Sequence, residues 1–514
     1  GLKMTTLAGD VSAAAIPASG IGSCWVKLPL KTSLIGRLWG ATGSRSMSPA
    51  HASAVANLRP PPPRTRHTLP MNALEFIHAL RWTDLGPQLR DQAELCLLDL
   101  IGIAIGGSAT RLSRTIRAHA AHQFGGPHAL LFDARTASAA GVALAGGMTI
   151  DALDGHDGYN PAKGHVGCGL FPAALALALE AGQTDGKAFL TTIVMGYELG
   201  SRLGPALHAT TPDYHTSGAW IAVAAAAAGA RLLNLGPDET AHALGIAEYH
   251  GPRSQMMRCI DHPTMLKDGS GWGAMAGVSA ALLARDGFTG APALTITEPS
   301  DIWKDLGANW LITQQYFKPY PVCRWAQAPV EAALALRREH NLAAADIAAI
   351  DVFTFHESTR LATTEPKSTE EAQYSTSFPT AVALVRGGLT PADIADDVLR
   401  DPEILRLSRA MTMHEDAQAQ ARFPAYRPAR VTLTLRDGTR LESRWTEPRW
   451  DAEHPPTEKE LRAKYHDLAD PALGPARAAA IENALHDLPD NGLSPLVGQL
   501  VQPISRDTTA ARAS

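Results

Sequence analysis

Apolar residues recur along this chain at two different periods, and each period marks one part of it. From Asn72 onward the spacing is helical: Leu74, Ile77 and Leu80, then Leu95, Leu98, Leu100 and Ile101, fall every three or four residues. Asp185-Gly186-Lys187 opens another helix carrying Phe189, Leu190, Ile193 and Val194. Gly236-Pro237-Asp238-Glu239 opens a further one, because proline pre-sets the backbone and the acids face the positive helix end. The run Trp220 to Leu233 is apolar on every face but short and Ala-rich, which predicts a buried core helix and not a membrane span. About ten helices are expected between 72 and 312. The period then shortens. Ile350 to Phe355 is rich in strand formers, and Val431 to Leu435 alternates strictly. Arg436-Asp437-Gly438-Thr439 reads as a hairpin turn into Leu441 and Trp445. Helical segments are predicted between these strands at Pro329 to Arg338, Thr380 to Val385 and Pro391 to Leu399, and after them at Thr457 to Tyr465 and Pro475 to Leu485. The expected fold is mainly α: a helical domain over 72–313 plus 451–490, a smaller α+β lid over 314–450, and a tail over 491–514.

Composition adds constraints. A chain of 514 residues is too long for one simple core. Hydrophobic content of 45% with only 6% aromatics fits Ala-rich helices. The net charge of −5, with no basic stripe, argues against a nucleic-acid partner. Five cysteines, widely spaced and outside any CxxC pair, point to reduced thiols and a cytoplasmic setting. Residues 1–70 differ from the rest: Asp10 is their only acid against eight Lys or Arg, and they end in Arg59-Pro60-Pro61-Pro62-Pro63-Arg64. This superficially matches a transit peptide, but we read it as a disordered or non-native extension, with folded sequence starting near Met71.

Chemistry concentrates in the segment from Asp154 to His165. Those twelve residues hold Asp154, His156, Asp157, Lys163 and His165, and three glycines and Pro161 exclude a helix or a central strand. Flanked by the apolar runs Ala139 to Leu153 and Leu170 to Leu179, this loop lies beside a core, where pKa values shift. Two further segments carry cations. His262 to Gly271 places Lys267 before a Gly/Ser turn and a small-residue helix whose amides assist in holding an anion. Tyr316 to Trp325 places Lys318 and Arg324 among aromatics and two prolines, where the helical pattern gives way to the mixed one.

Together these segments resemble the MmgE/PrpD family, which includes 2-methylcitrate dehydratase, cis-aconitate decarboxylase and iminodisuccinate epimerase. The resemblance spans residues 72 to 490. The family's loop, Asp-aromatic-Asp-Asp-Thr followed by His-Pro-Ser, aligns with Asp154-Gly155-His156-Asp157-Gly158 and His165-Val166-Gly167, with one extra residue between Asp154 and His165. The resemblance implies that Asp154 is an active-site acid, that His165 is the catalytic histidine, and that Lys267 and Lys318 bind substrate; Arg324 and His215 are further substrate-binding candidates from their own segments. It also implies a homodimer. The chain departs from the pattern where threonine becomes Gly158, the second acid becomes His156 and Pro-Ser becomes Val166-Gly167. A histidine of some members falls on Cys323, and a later active-site tyrosine on Phe378. Tyr159 is expected to supply the hydroxyl lost at Gly158.

The implied activity needs no cofactor and no metal: a lyase of dehydratase or hydratase type, or secondarily a decarboxylase, acting on a small di- or tricarboxylate. Lysines offset charge built next to a carboxylate, and His165 moves a proton. Asp154 either orients His165 or serves as its partner base, with His156 and Asp157 as alternative orienting groups. Other readings remain: an epimerase of an amino- or imino-dicarboxylate, an inactive carboxylate-binding homologue using His215-Thr216-Ser217-Gly218, or a metal bound by Asp154, His156, Asp157 and His165. The absence of HExxH, G-x-S-x-G and P-loop patterns disfavours zinc-protease, serine-hydrolase and nucleotide chemistry.

Overall fold

Alanine and glycine decide how closely the larger core packs. In the computed structural model, which describes residues 72–504, the helices Ala139–Asp151, Gly167–Glu180, Gly218–Leu232 and Ser270–Arg285 lie against one another. A Cβ at Gly277 would stand 2.3 Å from the Ala222 carbonyl oxygen, and one at Gly271 2.4 Å from that of Leu144. No side chain fits at such distances, so these backbones touch where only glycine is tolerated. In Gly218–Leu232 every residue but Arg231 is buried, as its apolar pattern predicts. The extension expected at 1–70 lies outside the described residues, as do Met71 and residues 505–514.

The same core recruits the C-terminal helices. Glu458–Leu473 lies on Pro87–Gly107, with Tyr465 and Leu468 against Gly102 and Gly106. The tail expected from 491 instead contains the helix Leu493–Leu500, whose Leu493, Leu496 and Leu500 are buried in this core. Its leucines, spaced three and four apart, bury one face.

A second core forms around a four-stranded sheet in the order Met411–Glu415, Ile347–Thr354, Arg430–Leu435, Arg440–Glu442. The first pair is parallel and the others antiparallel. The helices Arg324–Glu339 and Ser377–Arg386 share this core. The predicted hairpin turn is present, with Gly438 at φ 88°. Three details differ from the sequence reading. The helix expected over Pro391 to Leu399 is only the 3-10 turn Pro391–Ile394. Trp445 lies past the last strand, joined only through a bridge between Ala429 and Thr446. The edge strand Met411–Glu415 carries little strand-forming sequence and is held by its pairing with Ile347–Thr354. Among the described residues no single helix is long and apolar enough to cross a membrane.

The loop of the first core pairs with Tyr316, which precedes the segment entering the second core at Tyr320. Gly158 N–H donates to the Tyr316 carbonyl at 3.0 Å, and Tyr316 N–H returns to Gly158 at 2.8 Å.

Candidate active site

The helix Ala139–Asp151 delivers its last residue, Asp151, to the start of the loop, and the chain then turns sharply through Asp154 at φ 48°. Lys163 and Lys267 also hold left-handed backbone, at φ 56° and 51°. Only seven non-glycine residues do so among those described, and three of them are these. Each such residue costs about 1–3 kcal/mol, a strain that persists only where surrounding contacts hold it.

At the centre, Lys318 Nζ donates to the Asp154 carboxylate at 2.6 Å and to the Asp154 carbonyl at 2.8 Å, with both side chains buried. Burial works against the ammonium, but the adjacent Asp154 charge outweighs it and holds the Lys318 pKa above its usual value. His165 Nδ1 lies 2.5 Å from the Asp157 carbonyl. A carbonyl only accepts, so Nδ1 carries the proton and Nε2 is bare. That bare nitrogen stands 4.0 Å from Asp154 and 3.6 Å from Asp268. Burial, then the cationic His156 and Lys318, push the His165 pKa well below normal, so the ring is neutral at physiological pH. Asp268 moves the other way. Burial and the nearby Asp151 and Asp154 charges raise its carboxyl to about 7, against a Ser217 hydroxyl that donates at 2.8 Å. A bare imidazole nitrogen and a carboxyl that keeps its proton near neutrality thus face each other.

Behind them lies a polar layer. His156 Nε2 meets Asp151 at 3.3 Å, and its ring stands edge-on to His165 with centroids 4.3 Å apart. Burial opposes protonation of His156, but Cys168 and Asp151 beside it hold its pKa well above the usual value. Asp157 accepts from the Tyr197 hydroxyl at 2.5 Å, and burial raises it to about 6. Lys464, from the returning helix, donates to Asp99 at 2.5 Å and to the Gly155 carbonyl at 2.7 Å.

These groups surround a cavity of about 20 Å³ lined by Asp154, Lys163, His165, Asp268, Arg324 and Arg427, with Tyr214, Tyr316, Tyr374 and Cys323 in its wall. Of the residues singled out from sequence, Asp154, His165 and Arg324 line it, and Lys318 reaches Asp154. His156 and Asp157 stand behind His165. Lys267 lines a neighbouring cavity of about 370 Å³ with Arg258, His262 and Trp272, and its Nζ lies 4.6 Å from the centre of the Tyr374 ring. Tyr159 and His215 are not brought in: burial and the Arg202–Glu198 pair set the surroundings of Tyr159, and the His215 ring turns to the Asp213 carbonyl at 2.7 Å. The hydroxyl that stands beside Gly158 is that of Tyr316. A Cβ at Gly158 would lie 2.5 Å from the Tyr316 hydroxyl and 2.7 Å from His165 Nδ1, so glycine there makes room for both.

Sequence reasoning passed over Asp268, Tyr316, Tyr374, Lys163 and Arg427 as site residues. Asp268 looks like an ordinary turn acid beside Lys267. Tyr374, four residues before Phe378, reaches the cavity that the family's tyrosine would be expected to line. Arg427 sits in Tyr426-Arg427-Pro428, which reads as surface loop.

Asp154, His156 and His165 offer ligand atoms within 4.8 Å of one another, a set able to hold a metal ion. The Lys318 ammonium, 2.6 Å from the Asp154 carboxylate, competes with a cation there.

Residues 73–307 match the MmgE/PrpD N-terminal domain and residues 320–489 the MmgE/PrpD C-terminal domain. A cis-aconitate decarboxylase-like protein of Aspergillus oryzae is 23% identical over 463 residues, covering 80% of this chain and 93% of that protein. Cis-aconitate decarboxylase of Aspergillus terreus is 24% identical over 470 residues, covering 82% and 93%. A 2-methylcitrate dehydratase of Cupriavidus necator is 30% identical over 247 residues, covering 43% of this chain and 50% of that relative.

Proposed function

We propose, because this chain belongs to the MmgE/PrpD family, that it is a lyase acting on a small tricarboxylate. The relatives are decarboxylases and a dehydratase, so their shared step is charge developing on a carbon next to a carboxylate. The observation that carries the reading is the facing pair of His165 Nε2, bare and neutral, and Asp268, 3.6 Å away. In a dehydration His165 takes the proton α to a carboxylate while Asp268 gives one to the departing hydroxyl, and water leaves. In a decarboxylation the carbon losing CO2 takes a proton from the same pair. Lys318, held by Asp154, and Lys267, across Tyr374, supply positive charge to the carboxylates; fixed charges in a dry site act far more strongly than in water.

Elimination is favoured over epimerisation. Epimerisation needs proton carriers on opposite faces of one carbon, and His165 and Asp268 lie together on one flank.

The test is turnover. Purified protein is incubated with 2-methylcitrate, cis-aconitate and an iminodisuccinate control, with and without EDTA, and products are followed by NMR. Loss of water or CO2 from a tricarboxylate, unchanged by EDTA, is the expected result. Turnover of iminodisuccinate alone would replace the reading with epimerisation, and loss of activity in EDTA would restore the metal.

A further inference from the structure

Four cations gather at the cavity, and their partners divide them into two kinds. Lys318 is neutralised by Asp154 at 2.6 Å, and Arg324 by Asp451 at 2.6 Å, with its guanidinium 4.1 Å from the Tyr316 ring centre. Among the described residues neither the Arg427 nor the Lys163 side chain makes an ion pair of this kind: Arg427 is buried, at 3% exposure, with Glu447 taking only its backbone N–H at 2.9 Å, and Glu357 acts on Lys163 without a contact ion pair. Its Nη atoms donate to the side chain and carbonyl of Asn160, and its buried Nε has no hydrogen-bond partner. Lys163 holds its ammonium 4.2 Å from the Tyr214 ring centre, and burial lowers its pKa. Asn160 joins the two, since its carbonyl also accepts the Lys163 N–H at 3.0 Å.

An uncompensated guanidinium in a dry cavity is costly unless an anion arrives to meet it. The fixed anions of this cavity are already committed: Asp154 to Lys318, Asp451 to Arg324, and Asp268 to its proton near neutrality. The left-handed backbone of Lys163 holds its side chain at this point despite the strain. The missing partner is therefore part of the ligand. It has to be a part remote from the chemistry, because Lys318, Asp154, His165 and Asp268 already make up the reacting group.

We propose that Arg427 and Lys163 bind the carboxylate farthest from the reacting carbon and so make the site select a tricarboxylate over a dicarboxylate. This rests on the lyase reading above and names two specificity residues for it. A guanidinium presents two parallel donors matched to a carboxylate, and Lys163 adds charge without fixed geometry.

The experiment is calorimetric titration of the wild type and three variants with propane-1,2,3-tricarboxylate and with methylsuccinate (propane-1,2-dicarboxylate), which lacks one terminal carboxylate. The wild type is expected to bind the tricarboxylate at least about tenfold more tightly. Arg427→Gln and Lys163→Gln should each lose about tenfold for the tricarboxylate and leave methylsuccinate within about threefold. Arg427→Lys, which keeps the cation and gives up the paired donors, should keep only part of the preference. Thermal melts of each variant separate a binding defect from a folding one, and Lys163→Gln, on a partly exposed loop position, tests the subsite even if Arg427→Gln unfolds. The proposal is overturned if both glutamine variants keep the wild-type preference, or if they lose both ligands equally. A wild type that binds neither acid overturns the lyase reading itself, a result distinct from all of these.

Discussion

His165 and Asp268 are shifted in opposite directions by the same surroundings. Burial removes charge from both, while the cations His156 and Lys318 act on the imidazole and the anions Asp151 and Asp154 on the carboxyl. A base with its pKa below the ordinary histidine value and an acid near 7 predict a particular pH profile. kcat/KM should hold through mildly acidic pH and fall above about 7 as Asp268 loses its proton. In Asp268→Asn that alkaline fall disappears along with most of the activity. A profile still falling near pH 7 in the variant would assign it to another group. Stability gives an independent reading. Asp268 releases its proton near 7 in the folded protein and near the ordinary carboxylate value of 3.8 in the unfolded chain. Between those values the folded state holds the extra proton, so stability falls as pH rises. Asp268→Asn should therefore raise Tm at pH 8 relative to wild type, and raise it less at pH 5. An equal shift at both would contradict the assigned ionisation. Individual residues of this pair were unequally legible. His165 stands in a loop too charged and glycine-rich to be anything but a loop beside a core. Asp268 becomes an acid of the site only because Ser217 and His165, distant in sequence, pack against it.

The helices were legible where their period was regular. Gly218–Leu232 and Ser270–Arg285 follow from their apolar runs, and Asp185 and Pro237 open their helices as read. What the period does not show is the spacing between helices, which glycine sets. Gly277→Ala places a methyl 2.3 Å from the Ala222 carbonyl, and overpacking of this kind costs about 1–3 kcal/mol. Its Tm should fall by several degrees, while Gly388→Ala, with open space at its Cβ, should leave Tm nearly unchanged. Equal effects would mean that the helices separate freely. Short edge elements were the least legible. Met411–Glu415 is a strand because Ile347–Thr354 offers it a ladder, and Pro391–Ile394 stops after one turn although its sequence continues in helical composition.

At the scale of the molecule, the two cores meet at the loop, where Asn160 bonds to Arg427 and Lys318 bonds to Asp154. The cavity they enclose is about 20 Å³, the room of roughly one water and far less than a tricarboxylate needs. A tricarboxylate occupying this cavity would require these contacts to part. Hydrogen exchange should show the amides of 154–165 opening faster in the free protein and slowed several-fold by a bound tricarboxylate. Identical exchange in both states would contradict entry by opening. The family resemblance was readable along most of the chain, but the closed arrangement of the two cores was not, because it depends on side chains such as Asn160 and Arg427 that read as ordinary loop residues.

Incorporation of solvent deuterium tests the central claim most directly. Wild type and His165→Gln are incubated in D2O with cis-aconitate, from which loss of CO2 or addition of water brings one solvent hydrogen to carbon, and deuterium in the product is read by NMR. The account predicts incorporation by the wild type and a rate about 10²–10⁴-fold lower in the variant, with KM little changed. Equal incorporation by the two proteins, or none by the wild type, would contradict it.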